Sequence, residues 1–243
     1  MDDFLIYSGY LILLIDLILY SFSFFRKGKA NVFLVSYLAF IFFIQISMEI
    51  LYSLKMNNLF LVNSFFIGQM ILLGLFYNSI LHIKIQKQFV KISLFLALLV
   101  LTIQFIKTPQ EFLKFNLFEI TLTSLLIVVF ALIHFYNMLT ENKIYYYVNM
   151  GIMLYLLSST VLYIIGNLTS VLNNDLKYLS WQLNAFLNII YYLFILYEWK
   201  VSFSKKGLQN KQIINNLLNI IFYFWLISRC QVICKISTKL IMC

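Results

Sequence analysis

Seven polar side chains lie within long apolar segments of this chain, where polar groups are costly unless they meet a partner or a ligand. They are Asp16, Gln45, Glu49, Gln69, Glu119, Asn184 and Asn188. At about 1.5 Å of helical rise per residue, four of them fall about 13 to 18 Å from the same end of their segments. These four are Asp16, Gln45, Gln69 and Asn188. Their shared depth predicts a polar, ligand-binding cavity.

A second interpretation of the same residues stays open. Glu49 and Glu119 can be interfacial, and the amides can serve only as hydrogen bonds between helices, each contributing about 0.6 to 2 kcal/mol. Asp16 is the residue that this interpretation explains least, because a carboxylate midway through hydrocarbon is strongly disfavoured without a specific role.

Other chemistry finds little support in the sequence. There is no Gly-rich phosphate loop, H-E-x-x-H or G-x-S-x-G motif. The two histidines, His82 and His134, fall at different depths, which disfavours a haem, and no apolar segment contains a lysine for a retinal Schiff base. We therefore predict no catalytic residues, no metal site, no cofactor and no enzymatic activity.

The composition indicates that lipid, rather than water, surrounds these segments. Hydrophobic residues make up 63% of the 243 residues and charged residues only 11%, which excludes a water-soluble globule. The formal charge of +9 comes from basic residues scattered between apolar runs. That distribution is typical of membrane anchoring and predicts the lipid bilayer, rather than nucleic acid, as the partner.

Seven apolar stretches approach the length of about 20 residues that a spanning helix requires. They are Phe4–Phe25, Ala30–Leu54, Leu59–Leu81, Ile92–Ile106, Leu117–Leu139, Tyr145–Ile165 and Leu179–Glu198. The fourth is the weakest, with fifteen residues between Lys91 and Lys107. None alternates with period two, so the sequence predicts an all-α, polytopic transmembrane bundle. It contains no small-xxx-small glycine pair, which predicts packing through Ser, Thr and large side chains.

The basic residues predict an orientation. Eleven Lys and Arg fall on the side of the connections after the first, third, fifth and seventh segments, against four on the other side. Because cytoplasmic loops are enriched in basic residues, we expect the amino terminus outside and residue 200 in the cytoplasm.

Two regions follow from this division, a seven-helix domain over residues 1–206 and a basic tail over 207–243. The tail carries all three cysteines, Cys230, Cys234 and Cys243, and an apolar run within 213–228. A run this short is more typical of an interfacial helix than of a span, although an eighth span stays open.

The segment Leu183–Lys206, through its LNIIYY and YEWK portions, resembles the final helix and exit of small uncharacterised seven-helix membrane proteins of Bacteroidetes-type bacteria. The resemblance implies a protein of the bacterial inner membrane with no established activity, and some proteins of this look adjoin signalling genes. Glu198, Trp199 and Lys200 within it fit an aromatic and charged interfacial anchor.

Two functions remain from the sequence. The first is a non-catalytic sensor or accessory protein that binds a small or lipid-like ligand or the helices of a partner protein. The second is a small-molecule transporter with a polar site near the midplane. Transporters often show internal repeats and helices broken by Gly or Pro. Neither is evident here, since the sole proline, Pro109, lies in a connection, so the first function is favoured.

Overall fold

The computed structural model describes residues 2–27, 30–140, 143–169 and 174–203, and over them the chain is helical, with no strand. The elements are α1 (Asp2–Lys27), α2 (Val32–Ser53), α3 (Leu59–Ile80), α4 (Lys84–Lys107), the short 3₁₀ helix η1 (Pro109–Leu113), α5 (Leu117–Asn137), α6 (Tyr146–Thr169) and α7 (Asn174–Phe203). The tail, with its expected interfacial helix and three cysteines, lies outside the described residues.

All seven α-helices are long and apolar enough to cross a membrane. This confirms the predicted all-α bundle of seven spans, because in hydrocarbon only a helix satisfies the backbone of one segment internally. Polar residues mark several helix starts. Asn31 and Asn116 accept hydrogen bonds at the first turns of α2 and α5, and Pro109 opens η1.

The fourth span is longer than its apolar run indicates. α4 has 24 residues and begins at Lys84, so that Lys84, Lys87 and Lys91 lie on its first turns rather than in a connection. Lysine and glutamine are good helix formers, and a lysine near a helix end extends its stem so that the charge reaches the interface. Hydropathy therefore places the start of this span about two turns later than the backbone does.

α3 packs against α2, α4 and α5. α1 packs against α2, and α6 packs against α5. α7 is tied by side-chain hydrogen bonds to α1, α2 and α6. α4 packs against α3 and α5 and exposes most of its large apolar side chains, the surface expected where a helix faces lipid.

Two glycines allow neighbouring helices to approach closely. A Cβ added at Gly151 in α6 would lie 2.8 Å from Cβ of Phe194 in α7, and one at Gly74 in α3 would lie 2.6 Å from Cδ1 of Leu94 in α4. Single glycines thus contribute to close helix packing, which we expected only from Ser, Thr and large side chains.

Hydrogen bonds at one end of the bundle join connections that are distant in sequence. Asn31, between α1 and α2, donates its Nδ2 to Ser79 Oγ at 2.6 Å and its backbone N–H to the Tyr145 hydroxyl at 2.9 Å. Ser79 ends α3 and Tyr145 precedes α6, so successive helices alternate in direction. We call this end, which carries Arg26 and Lys84 to Lys91, the basic end.

Candidate functional site

Asp16 lies midway along the first span and is fully buried, with 0% of its surface exposed. Neither carboxyl oxygen meets a hydrogen-bond donor among the residues that the structure describes. Asp16 lies within electrostatic range of the phenol groups of Tyr20, one turn along α1, and Tyr192 of α7. Asp16 therefore makes no hydrogen bond between helices among the described residues.

Gln45 of α2 faces the same tyrosine. Its Nε2 donates to the Tyr192 hydroxyl at 2.8 Å, and its Oε1 is a buried acceptor that no described residue pairs. Asp16 of α1 and Gln45 of α2 thus both have Tyr192 as a neighbour. We call Asp16, Gln45 and Tyr192 the acceptor site, because its three unsatisfied oxygens are all acceptors.

Glu49 lies four residues beyond Gln45, about 6 Å further from the basic end. It is half-buried, and its Oε1 lies 3.5 Å from the Tyr7 hydroxyl, at the limit of a hydrogen bond. Tyr10, also on α1, lies within electrostatic range of Glu49. Glu49 therefore lies where α2 faces α1, the helix that also carries Asp16.

A row of tyrosines connects the acceptor site to the middle of the bundle. Tyr191 donates its hydroxyl to that of Tyr37 at 3.1 Å, and Gln69 donates its Nε2 to the same oxygen at 3.2 Å. The ring of Tyr191 also stacks on that of Tyr155, with centroids 5.0 Å apart and planes 10° apart. Gln69 thus reaches the layer of Tyr191 and Tyr192 through Tyr37 rather than by direct contact with Asp16.

Asn184 belongs to another group, between α6 and α7. Its Oδ1 accepts from Ser159 Oγ at 2.6 Å, and its Nδ2 donates to the Tyr163 hydroxyl at 3.0 Å. This amide is well satisfied, as expected for a hydrogen bond between helices. Asn188, one turn along α7, is half-buried and takes no part in this group.

Glu119 lies apart from both groups, in the first turn of α5, and is fully buried with neither carboxyl oxygen paired by a described residue. The seven predicted residues therefore divide. Asp16 and Gln45 share Tyr192 as a neighbour, Glu49 lies one turn beyond Gln45, and Gln69 hydrogen-bonds Tyr37, to which Tyr191 also donates. Asn184, Asn188 and Glu119 lie elsewhere.

Sequence reasoning missed the tyrosines that hold these amides. The buried hydroxyls of Tyr37, Tyr191 and Tyr192 are the partners of Gln69 and Gln45, yet 17 tyrosines spread along the chain conceal them. One local signal was present. Tyr155, Ser159 and Tyr163 are spaced four residues apart, which places them on one face of α6.

The residues Glu198 and Trp199 are buried rather than interfacial, in contrast to the anchor that we expected. Glu198 Oε2 accepts from the backbone N–H of Tyr147 at 2.8 Å, in the first turn of α6. Trp199 Nε1 donates to Ser23 Oγ at 2.7 Å and to the Leu19 carbonyl at 3.0 Å. Of the three residues, only Lys200 is exposed. Glu198 and Trp199 therefore connect α7 to α6 and to α1 at the basic end.

His134 is likewise structural. Its Nε2 lies 2.9 Å from the Ile144 carbonyl, and its ring packs against that of Tyr77. Nearby, burial raises the pKa of Tyr145 to about 12, so that its hydroxyl is uncharged at neutral pH where it accepts from Asn31. Among the described residues, no cluster of three His, Cys, Asp or Glu side chains is placed to hold a metal ion.

The fold and these contacts define the class of protein. Seven apolar helices with a buried polar interior make this chain a multi-pass integral membrane protein that contacts the lipid bilayer. Comparisons with protein-family models, curated proteins and solved structures gave no match to the chain.

Proposed function

We propose that this protein is a non-catalytic membrane sensor or accessory protein that binds a small cationic ligand, an organic amine, at the acceptor site. The observation that carries the proposal is the set of three buried acceptor oxygens, two from Asp16 and one from Gln45, that no described donor satisfies. Buried acceptors without donors are costly, and they are retained where a ligand supplies the donors.

An amine fits the donors and charges that this site lacks. A protonated primary amine carries three N–H donors and one positive charge, which match three acceptor oxygens and one carboxylate. Tyr20 and Tyr192 also lie within electrostatic range of Asp16, and aromatic rings attract cations. A neutral ligand would leave the carboxylate of Asp16 buried and uncompensated.

Glu49 supports entry from the end opposite the basic end. It lies about 6 Å from the level of Gln45, on the same pair of helices as the acceptor site. A second carboxyl group on that route attracts a cation towards Asp16. In a bacterial inner membrane with the basic end on the cytoplasmic side, the ligand would enter the protein from the outer side.

The test is ligand-dependent thermal stability of the purified protein in detergent. Small primary amines are expected to raise the Tm in a saturable way, whereas the corresponding alcohols are not. The effect should vanish in Asp16→Asn. It should persist in Glu111→Gln, which removes one negative charge from η1 without touching the acceptor site. Equal amine responses in Asp16→Asn and in the parent protein would overturn the proposal.

A transporter is the second candidate, and one observation favours it. Asp16 lies near the middle of its span, where transporter sites are found. Reconstituted liposomes separate the two functions. A sensor binds labelled amine without accumulating it in the lumen, whereas a transporter fills the lumen at a rate that Asp16→Asn abolishes.

A further inference from the structure

A strip of aromatic rings crosses α5, α6 and α7 at the basic end, and none of its residues belongs to the acceptor site. Tyr147 of α6 packs edge-to-face against Tyr197 of α7, with ring centroids 4.6 Å apart. The ring of Tyr146 lies 5.3 Å from that of Tyr147 and 6.0 Å from that of Phe135 in α5. Each ring is within contact range of the next, so the four side chains form one surface. We call them the aromatic strip.

The aromatic strip borders the lipid-facing side of α7. Tyr197 is 48% exposed, and Leu193, four residues before it, and Lys200, three residues after it, are exposed as well. Residues at this spacing share one face of a helix. Tyrosine is enriched at membrane–water interfaces, because its ring favours the lipid and its hydroxyl the headgroups. The strip therefore lies at the headgroup level, where α6 meets α7.

Two lysines adjoin the strip. The ammonium of Lys143 lies over the ring of Tyr146, 5.5 Å from its centroid. Lys200 lies one turn from Tyr197 on the exposed face of α7. Neither lysine has an acidic partner among the residues that the structure describes. α6 also begins here, and the start of a helix carries partial positive charge. This surface therefore attracts an anion.

The neighbouring acidic side chain does not neutralise this surface. Glu198 follows Tyr197 along α7 but is only 2% exposed. Its Oε2 accepts from the backbone N–H of Tyr147 at 2.8 Å, within the first turn of α6. The carboxyl group of Glu198 is thus engaged inside the protein, whereas the charges of Lys143 and Lys200 are on the outer face.

We propose that the aromatic strip, together with Lys143 and Lys200, binds the headgroup of an anionic phospholipid. The lipid phosphate would accept hydrogen bonds from the two ammonium groups. The acyl chains would lie along exposed apolar side chains of the same two helices, such as Leu154 of α6 and Leu193 of α7. A zwitterionic lipid fits less well, because its choline or ethanolamine group would bring a further positive charge to the two lysines.

Native mass spectrometry of the purified protein in detergent tests the proposal. The parent should retain phosphatidylglycerol at concentrations at which phosphatidylcholine with the same acyl chains dissociates. In Lys143→Gln/Lys200→Gln the affinity for phosphatidylglycerol should fall by about 30-fold, the factor that two lysines near a lipid surface supply. Lys55→Gln/Lys107→Gln is the matched control. It removes two exposed lysines at the opposite end of the bundle and should retain the lipid as the parent does.

Thermal stability gives a second readout on the same proteins. Phosphatidylglycerol should raise the Tm of the parent more than phosphatidylcholine does. This difference should persist in Asp16→Asn, which leaves the strip intact, and disappear in Lys143→Gln/Lys200→Gln. Equal retention of both lipids by the parent would overturn the proposal, as would undiminished retention of phosphatidylglycerol by the variant lacking both lysines. A rise in Tm as large with glycerol phosphate, which has no acyl chains, would overturn the assignment of a lipid.

Discussion

The hydroxyl of Tyr191 in α7 donates to the hydroxyl of Tyr37 in α2 across 3.1 Å, and Gln69 of α3 donates to the same oxygen. Tyr37 is fully buried. One phenol oxygen is therefore the junction of three helices, and removing it leaves two buried donors without an acceptor.

Tyr37→Phe is expected to destabilise the protein more than Tyr191→Phe. The first change strands two donors, at a cost of about 1 to 3 kcal/mol for each that stays unpaired, whereas the second removes one donor, worth about 0.6 kcal/mol in a membrane protein. Thermal unfolding in detergent measures both. Tyr52→Phe, at an exposed tyrosine of α2, is the control and should leave the Tm unchanged. Equal losses of Tm in Tyr37→Phe and Tyr191→Phe would contradict the role of Tyr37 as the shared acceptor of three helices.

Asp16→Asn should be at least as stable as the parent when no ligand is present. The carboxylate makes no hydrogen bond to a described residue, so its burial costs free energy that a neutral amide of the same shape does not. A gain of about 1 kcal/mol would raise the Tm by about 2 to 4 °C for a chain of this length. Asp16→Leu should also keep the fold. A lower Tm for both variants would show instead that Asp16 holds helices together.

Gly151→Ala should destabilise the contact between α6 and α7. The added Cβ would meet Phe194 Cβ at 2.8 Å, and Phe194 Cβ is fixed to its backbone and cannot move aside on its own. Gly9→Ala is the matched control, since its Cβ would lie 3.8 Å from Ile189 Cγ1, an ordinary contact with the same helix. Melting curves should show a loss for Gly151→Ala and none for Gly9→Ala.

Glu198→Ala should cost about 0.5 to 2 kcal/mol, the usual penalty for losing the side-chain cap of a helix start. Glu198 Oε2 accepts from the Tyr147 backbone N–H and lies at the positive end of the α6 dipole. Glu198→Gln keeps an acceptor and should recover part of the loss. If Glu198 were only an interfacial anchor, both variants would have the same Tm as the parent.

Cysteine labelling in intact cells tests the orientation. In a protein lacking Cys230, Cys234 and Cys243, a cysteine at exposed Asn57 should react with an impermeant thiol reagent, and one at exposed His82 should not. The reason is that Asn57 lies between α2 and α3, at the end opposite the basic end. Labelling at His82 with protection at Asn57 would reverse the orientation.

The number and order of the helices were predictable because a span has a length and a composition that hydrocarbon imposes. The start of α4 was not, since the turn from Lys84 to Lys91 is held by helix propensity rather than by hydropathy. The start of this helix was therefore placed eight residues too late.

Helical rise predicted a shared level for these polar residues, but it could not predict their partners. Rise alone placed Asp16 and Gln45 in one layer, and both lie near Tyr192. The rotation of each helix about its axis decides which side chains meet, and that depends on packing against helices distant in sequence. For this reason Asn188 was predicted at the same depth as Gln45, but the hydroxyl of Tyr192 is the group that accepts the hydrogen bond from Gln45.

A hydrogen bond of Trp199 joins α7 to α1 across 180 residues of chain. A ribosome adds about 5 to 20 residues per second, so about 9 to 36 seconds pass between the synthesis of α1 and that of α7. The acceptor site is divided in the same way, since Asp16 and Gln45 enter the bilayer well before Tyr192 is made. During biosynthesis these polar groups must be sheltered by the insertion machinery or by water until α7 arrives and completes the acceptor site.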